Sequence, residues 1–201
     1  MKLYYSPGAC SLSPHIVLRE AGQKFDLIKV DLATKKTETG DDYLAINPRG
    51  AVPALQMDNG EVLTEGAAIV QYIADKADAT ALVPKAGTTE RYKQLQWLNF
   101  VASELHKSMG ALFNDKMATQ AGDVIKGKIV KDLSFLNSHL GKQQYLAGSS
   151  FTAADAYAFT ILGWGQHVGV DVDKHANVKA YMGRIGARPK VQEALKAEGL
   201  V

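Results

Sequence analysis

The chain has a single cysteine, Cys10, placed where a strand and loop run into a helix start. Free backbone N–H groups and the helix dipole at such a place favour a thiolate. The same place also suits an inert, buried small hydrophobe, which the position favours somewhat less. Tyr5 and Ser11 are nearby hydroxyls that could instead donate to a substrate thiolate. A second group lies on a long helical segment. Gln96, Asn99, Ser103, His106 and Lys107 fall on one arc at about 100° per residue. His106 beside Lys107 is a proton carrier next to a fixed charge, although a polar arc is also what a solvated helix face looks like.

The third group runs from Asn47 to Ile69. Two short apolar runs, Ala54–Met57 and Glu61–Thr64, flank the turn Asp58-Asn59-Gly60, a hairpin signal. Pro53 has no N–H for a sheet, so it belongs at a strand start, edge or bulge. With a cis Val52-Pro53 bond, the N–H and C=O of Val52 would face solvent and could pair with an extended peptide. Thr64-Glu65-Gly66 then runs into a helix, whose first N–H groups attract carboxylates, and Glu65 offers a charge to an ammonium. Thr152 and Asp155 form a capping-box variant ahead of an apolar helix, a structural role.

Two sets of elements must position these residues. Lys2–Tyr5 and Phe25–Asp31 read as strands around a helix from about Cys10 or Ser11 to Ala21, where Gly22 stops it. Lys35 to Ala45 is polar and irregular, with a short helix near Asp41. The hairpin and a helix over Gly66–Lys76 complete a small α/β unit with a mixed sheet. Asp78–Thr88 reads as a linker. Only helices follow: Thr89 to about Leu112, Val124–Leu140, Ala153 to about Val168, Asn177–Ala187 and Pro189–Ala197. The domains expected are therefore 1–77, a linker at 78–88, and an all-helical 89–201.

Composition narrows the class of function. A net charge of +2 is too small to argue for nucleic acid or an acidic membrane surface. No apolar run is long enough to span a bilayer, and the first residues do not read as a signal peptide. One cysteine excludes an internal disulfide framework, so a cytoplasmic protein is expected. No metal site is read.

Taken in order and spacing, five segments resemble the cytosolic glutathione transferases, specifically the bacterial beta class. They are Tyr4 to Ser11, Asn47 to Leu55, Leu63 to Ile69, Glu104 to Lys107 and Phe151 to Tyr157. The resemblance spans the whole chain. It implies a thioredoxin-like N-terminal domain, an all-α C-terminal domain and a homodimer. It also implies that Pro53 is cis, that Val52 pairs its backbone with the cysteinyl part of glutathione, and that Glu65 and Gly66 hold the γ-glutamyl end. Lys35 would hold the glycine carboxylate. Cys10 would lie beside the glutathione sulfur, with His106 and Lys107 approaching from the second domain. Asn99, Ser103 and Glu104 match positions that reach glutathione across the dimer interface. Glutathione enters as co-substrate and no prosthetic group is implied.

The reaction expected is attack of glutathione thiolate on a small hydrophobic electrophile, a detoxification. A free thiol is roughly 3% ionised at pH 7. Lowering its pKa by ~2 units gains roughly 25-fold in thiolate, but the accompanying loss of nucleophilicity, about 8-fold, leaves only roughly 3-fold. Holding the electrophile beside the sulfur must contribute more. An apolar second pocket near Phe113, Trp164 and His167 is therefore expected. Two other readings stay open: a thiol–disulfide oxidoreductase working through a Cys10 mixed disulfide, and a non-enzymatic carrier of hydrophobic ligands.

Overall fold

The computed structural model describes residues 1–201. The first half contains β1 (Lys2–Tyr5), α1 (Leu12–Glu20), β2 (Asp26–Asp31), β3 (Lys36–Thr37), α2 (Tyr43–Ile46), β4 (Ala54–Gln56), β5 (Val62–Thr64) and α3 (Gly66–Lys76). The strands form one sheet in the order β3-β2-β1-β4-β5. β1 and β2 are parallel across α1, and the other pairings are antiparallel. The sheet is thus mixed, as the two kinds of connection require. β3 was not legible in the sequence. It is two residues long, pairs Val30 with Thr37, and is braced by hydrogen bonds among Thr37, Thr39 and Asp41.

Alternation along the strands divides the core. Leu3 and Leu55 face α1 and α3 in a large apolar core, while Tyr4 and Ala54 join Val30, Tyr43 and Val52 in a smaller core on the opposite face. That smaller core anchors the loop on which the site is built.

The second half begins with α4 (Thr89–Phe100), capped by Thr88, which accepts from Arg91 N–H. A π-helical segment, Val101–His106, continues it, and α5 (Lys107–Ala111) ends it. Then come α6 (Asp115–Leu140), α7 (Ala153–Leu162), α8 (Gly165–Val168), a 3-10 turn at Val172–Lys174, α9 (Ala176–Gly186) and α10 (Pro189–Ala197).

Two boundaries differ from expectation. α6 starts at Asp115 rather than Val124, because Asn114 caps it by accepting from Met117 N–H. Its first turns are exposed all round, so no apolar period announces them. α7 stops at Leu162 rather than Val168. A Cβ on Gly165 would meet Val172 Cγ2 at 2.5 Å, so the chain after Gly163 needs a residue without one.

α7 is buried along nearly its whole length and packs against α1, α3 and α4. The large core is continuous through both halves. The segment expected to be a linker shares in it. Leu82 and Val83 are buried, and the Leu82 carbonyl accepts from Ala153 N–H at 2.9 Å and Gln94 Nε2 at 2.6 Å. Paired guanidinium–carboxylate contacts also cross between the halves, Arg188 to Glu20 (2.7 and 2.9 Å) and Arg91 to Asp75 (2.7 and 2.8 Å). The α7 N-terminus is closed by the expected capping box, in which Asp155 accepts from Thr152 N–H at 2.7 Å and from its hydroxyl at 2.8 Å. The same carboxylate also receives Leu146 N–H and Tyr181 Oη–H, each at 2.9 Å. No helix is long and apolar enough to cross a membrane.

Candidate active site

The loop ahead of β4 is held from behind. The Val52 side chain is buried in the smaller core. The carbonyl of Ala51 receives Tyr43 Oη–H at 2.8 Å and Asn47 Nδ2 at 2.7 Å, and Lys35 Nζ donates to the Gly50 carbonyl at 2.8 Å. Gly50 supplies the positive φ of 60° that this turn needs. The Val52-Pro53 bond is cis. With its neighbours so engaged, the Val52 N–H finds no partner in the chain. The Val52 carbonyl does not stay free: the Cys10 thiol donates to it at 3.1 Å.

This contact changes the reading of Cys10. The sequence leaves two readings of Cys10, a thiolate stabilised by the helix start and a buried, inert thiol. Burial outweighs the nearby backbone N–H groups and pushes the thiol up to about 11, so it is protonated at neutral pH, as the second reading has it. Ser11 is corrected too. It is fully buried, and its hydroxyl accepts from Ser6 N–H and donates to the Ser6 carbonyl, both at 3.2 Å. It closes the loop ahead of α1 and offers nothing to a ligand.

Glu65 precedes α3 with φ 68°, a left-handed conformation that costs a non-glycine residue of order 1–3 kcal/mol. The strained backbone holds the carboxylate at the cleft, where Oε1 meets Arg49 Nη1 at 2.5 Å. Beside it, the first N–H groups of α3 lack helical partners.

From the other half comes His106, at the end of the π-helical segment, a kind of distortion frequent at functional sites. Its Nδ1 lies 2.6 Å from Tyr157 Oη, and its ring meets those of Tyr157 and Trp164 edge-on. Burial, and then the neighbouring Lys107 charge, lower its pKa to about 4. His106 is therefore neutral near pH 7 and not the proton carrier expected. Lys107 lines the same cleft and is exposed.

Two cavities meet here. One, of about 280 Å³, is lined by Cys10, Arg49, Val52, Glu65, His106 and Tyr157 among others. The other, of about 780 Å³, includes Phe113, Trp164, His167 and Leu200, and Lys35 lines this one rather than the first. They share Cys10, Arg49, Ala51 and Val52. A separate cavity of about 500 Å³ near α8 involves none of these residues. Asn99, Ser103 and Glu104 do not line the cleft of this chain. Asn99 and Ser103 are exposed, and Glu104 pairs with Lys128 at 2.7 Å.

Sequence reasoning passed over Arg49, Tyr157 and Leu200. The available signal for Tyr157 was a phenol within a helix apolar nearly all round, since a buried hydroxyl needs a partner. It also passed over the support behind Gly8. The Gly8 N–H donates to Glu198 Oε2 at 2.9 Å, and Glu198 Oε1 faces His15 Nδ1 at 2.8 Å, both side chains fully buried. Arg19 Nε donates to His15 Nε2 at 2.8 Å, which leaves the ring proton on Nδ1.

Residues 8–76 match the glutathione S-transferase N-terminal domain family, and residues 100–189 match the C-terminal one. Glutathione S-transferase GstA of Escherichia coli O157:H7 is 45% identical over the full length of both chains. A bacterial beta class glutathione S-transferase from Sphingomonas chungbukensis is 51% identical, with TM-score 0.95 and full coverage of both chains. A sphingomonad glutathione S-transferase complexed with glutathione is 46% identical, again with TM-score 0.95 over both whole chains. On this agreement of sequence and fold along the entire chain, the protein belongs to the glutathione S-transferase family, in its bacterial beta class.

Proposed function

We propose that the protein joins the thiolate of glutathione to small hydrophobic electrophiles in the cleft between its two halves. One observation carries this reading: a small polar cavity and a larger, more apolar one share Cys10 and Val52. Glutathione is a short peptide with two carboxylates and one ammonium. The unpaired Val52 N–H suits its central peptide, Glu65 its ammonium, and the helix start at Gly66 together with Lys107 and Lys35 its carboxylates. Cys10 then sits where the two substrates meet. Phe113, Trp164 and His167 wall the electrophile side.

The site residues, the domain limits 1–77 and 89–201, a homodimer in which Asn99, Ser103 and Glu104 reach the partner's glutathione, and a cytoplasmic location belong to this proposal. The test is retention on immobilised glutathione followed by turnover of a chloronitroarene. Retention with no conjugation of any aryl or alkyl halide would leave the carrier reading in its place. The oxidoreductase reading is less favoured, because a thiol pushed up to about 11 and donating to Val52 is a poor attacking group.

A further inference from the structure

We propose that Tyr157 is a positioning residue: by donating its hydroxyl hydrogen to Nδ1 of His106, it holds that ring as the Nε2–H tautomer and makes it a hydrogen-bond donor to the substrate thiolate rather than a base for the thiol proton. The geometry is a 2.6 Å contact between Tyr157 Oη and His106 Nδ1, with both side chains lining the smaller cavity. A phenol hydroxyl can donate or accept, and the surroundings of Tyr157 decide which. Tyr157 is 3% exposed, and its hydroxyl has no other partner in the chain. If it accepted from Nδ1–H, its own hydrogen would be buried with no acceptor. If it donates, only lone pairs stay unused, and a buried acceptor short of partners is tolerated better than a stranded donor.

Burial also keeps both groups uncharged, raising the phenol and lowering the imidazole. The neutral ring then carries one proton, on Nε2, and that nitrogen makes no hydrogen bond within the chain. Such a donor stabilises a thiolate by a charge-assisted hydrogen bond, while the thiol proton leaves to solvent. The other charged or titratable groups lining this cavity are Lys107 beside His106, Cys10, Arg49, and Glu65 ahead of α3. None of them makes a hydrogen bond to the imidazole of His106.

The inference deepens the glutathione reading, but its first test does not depend on it. Nitrogen NMR of His106 in the unliganded wild-type protein, assigned with His106→Gln, reads the tautomer directly. A protonated Nε2 and bare Nδ1 are expected, and the opposite pattern overturns the proposal. The second test is Tyr157→Phe. The thiol of bound glutathione, followed by thiolate absorbance, should titrate about one unit higher; with about tenfold less thiolate of about threefold greater nucleophilicity, conjugation falls roughly threefold at pH 6.5 and recovers above the new pKa. The glutathione KM should stay within about twofold. A loss equal at every pH marks a merely structural role and counts against the proposal. Should that variant not fold, the wild-type tautomer still decides. Failure of wild-type protein to bind glutathione would sink the parent reading and leave the tautomer result standing.

Discussion

Trp164 reaches across from the helical half and donates Nε1–H to the carbonyl of Gly8 at 2.8 Å. Gly8 stands two residues before Cys10, with φ 71°, and its N–H is taken by Glu198. Both faces of this one peptide position are thus held by residues from beyond α7. Trp164→Phe keeps the apolar wall and removes that hydrogen bond. A neutral hydrogen bond nets about 1 kcal/mol, so conjugation should fall roughly 5-fold in kcat/KM. Steady-state kinetics with two electrophiles of different size checks this, and equal activity would mean the Gly8 loop is positioned without the indole.

Cys10→Ala should abolish any mixed disulfide with oxidised glutathione while conjugation stays within a few-fold of wild type. The reason is the protonated, hydrogen-bonded state of this thiol, which supplies no charge to the reaction. Intact-mass measurement follows the adduct and a conjugation assay follows turnover. Complete loss of conjugation with glutathione still bound would assign Cys10 a direct part.

Glu65→Gln removes the only carboxylate lining the smaller cavity. If Glu65 meets the glutathione ammonium, a charge-assisted hydrogen bond of about 1.5–3 kcal/mol is lost, and the glutathione KM should rise roughly 10- to 100-fold. The KM for the electrophile should barely move. A matching rise in both would show that the substitution disturbs the cleft as a whole. Part of the effect is set by Arg49, which loses its partner at the same time.

His106 titrates at about 4 in the folded protein against an ordinary value of 6.5. Between those two the unfolded chain binds a proton that the folded one refuses, so the contribution of His106 makes stability rise with pH through that window and flatten above it. Denaturant melts of wild type and His106→Gln from pH 4 to 8 should therefore converge as pH falls below 6.5. The wild-type rate should show no inflection near 6.5 that His106→Gln removes.

Asp155→Ala strips a buried carboxylate from four donors: Thr152 N–H and hydroxyl, Leu146 N–H and Tyr181 hydroxyl. Each stranded donor costs about 1–3 kcal/mol, so a loss above ~3 kcal/mol is expected. That exceeds the ~1 kcal/mol of an ordinary cap. Denaturant unfolding measures it. A change near 1 kcal/mol would show that water replaces the carboxylate.

The sequence by itself determined the parts whose causes lie a few residues apart. The strand Lys2–Tyr5, the Asn-Gly hairpin, the capping box of Thr152 and Asp155, and the helix opened by Pro189 all persist in the structure. From these, and from the order of the five matching segments, the family could be read. The tertiary structure alone decided the state of the reactive groups. Ser11 is spent on Ser6, the Cys10 thiol is protonated because of what covers it, and His106 finds Tyr157 from 51 residues away. Burial and long-range partners set a pKa or a tautomer, and neither is written in local spacing, since desolvation depends on which distant element closes over the group.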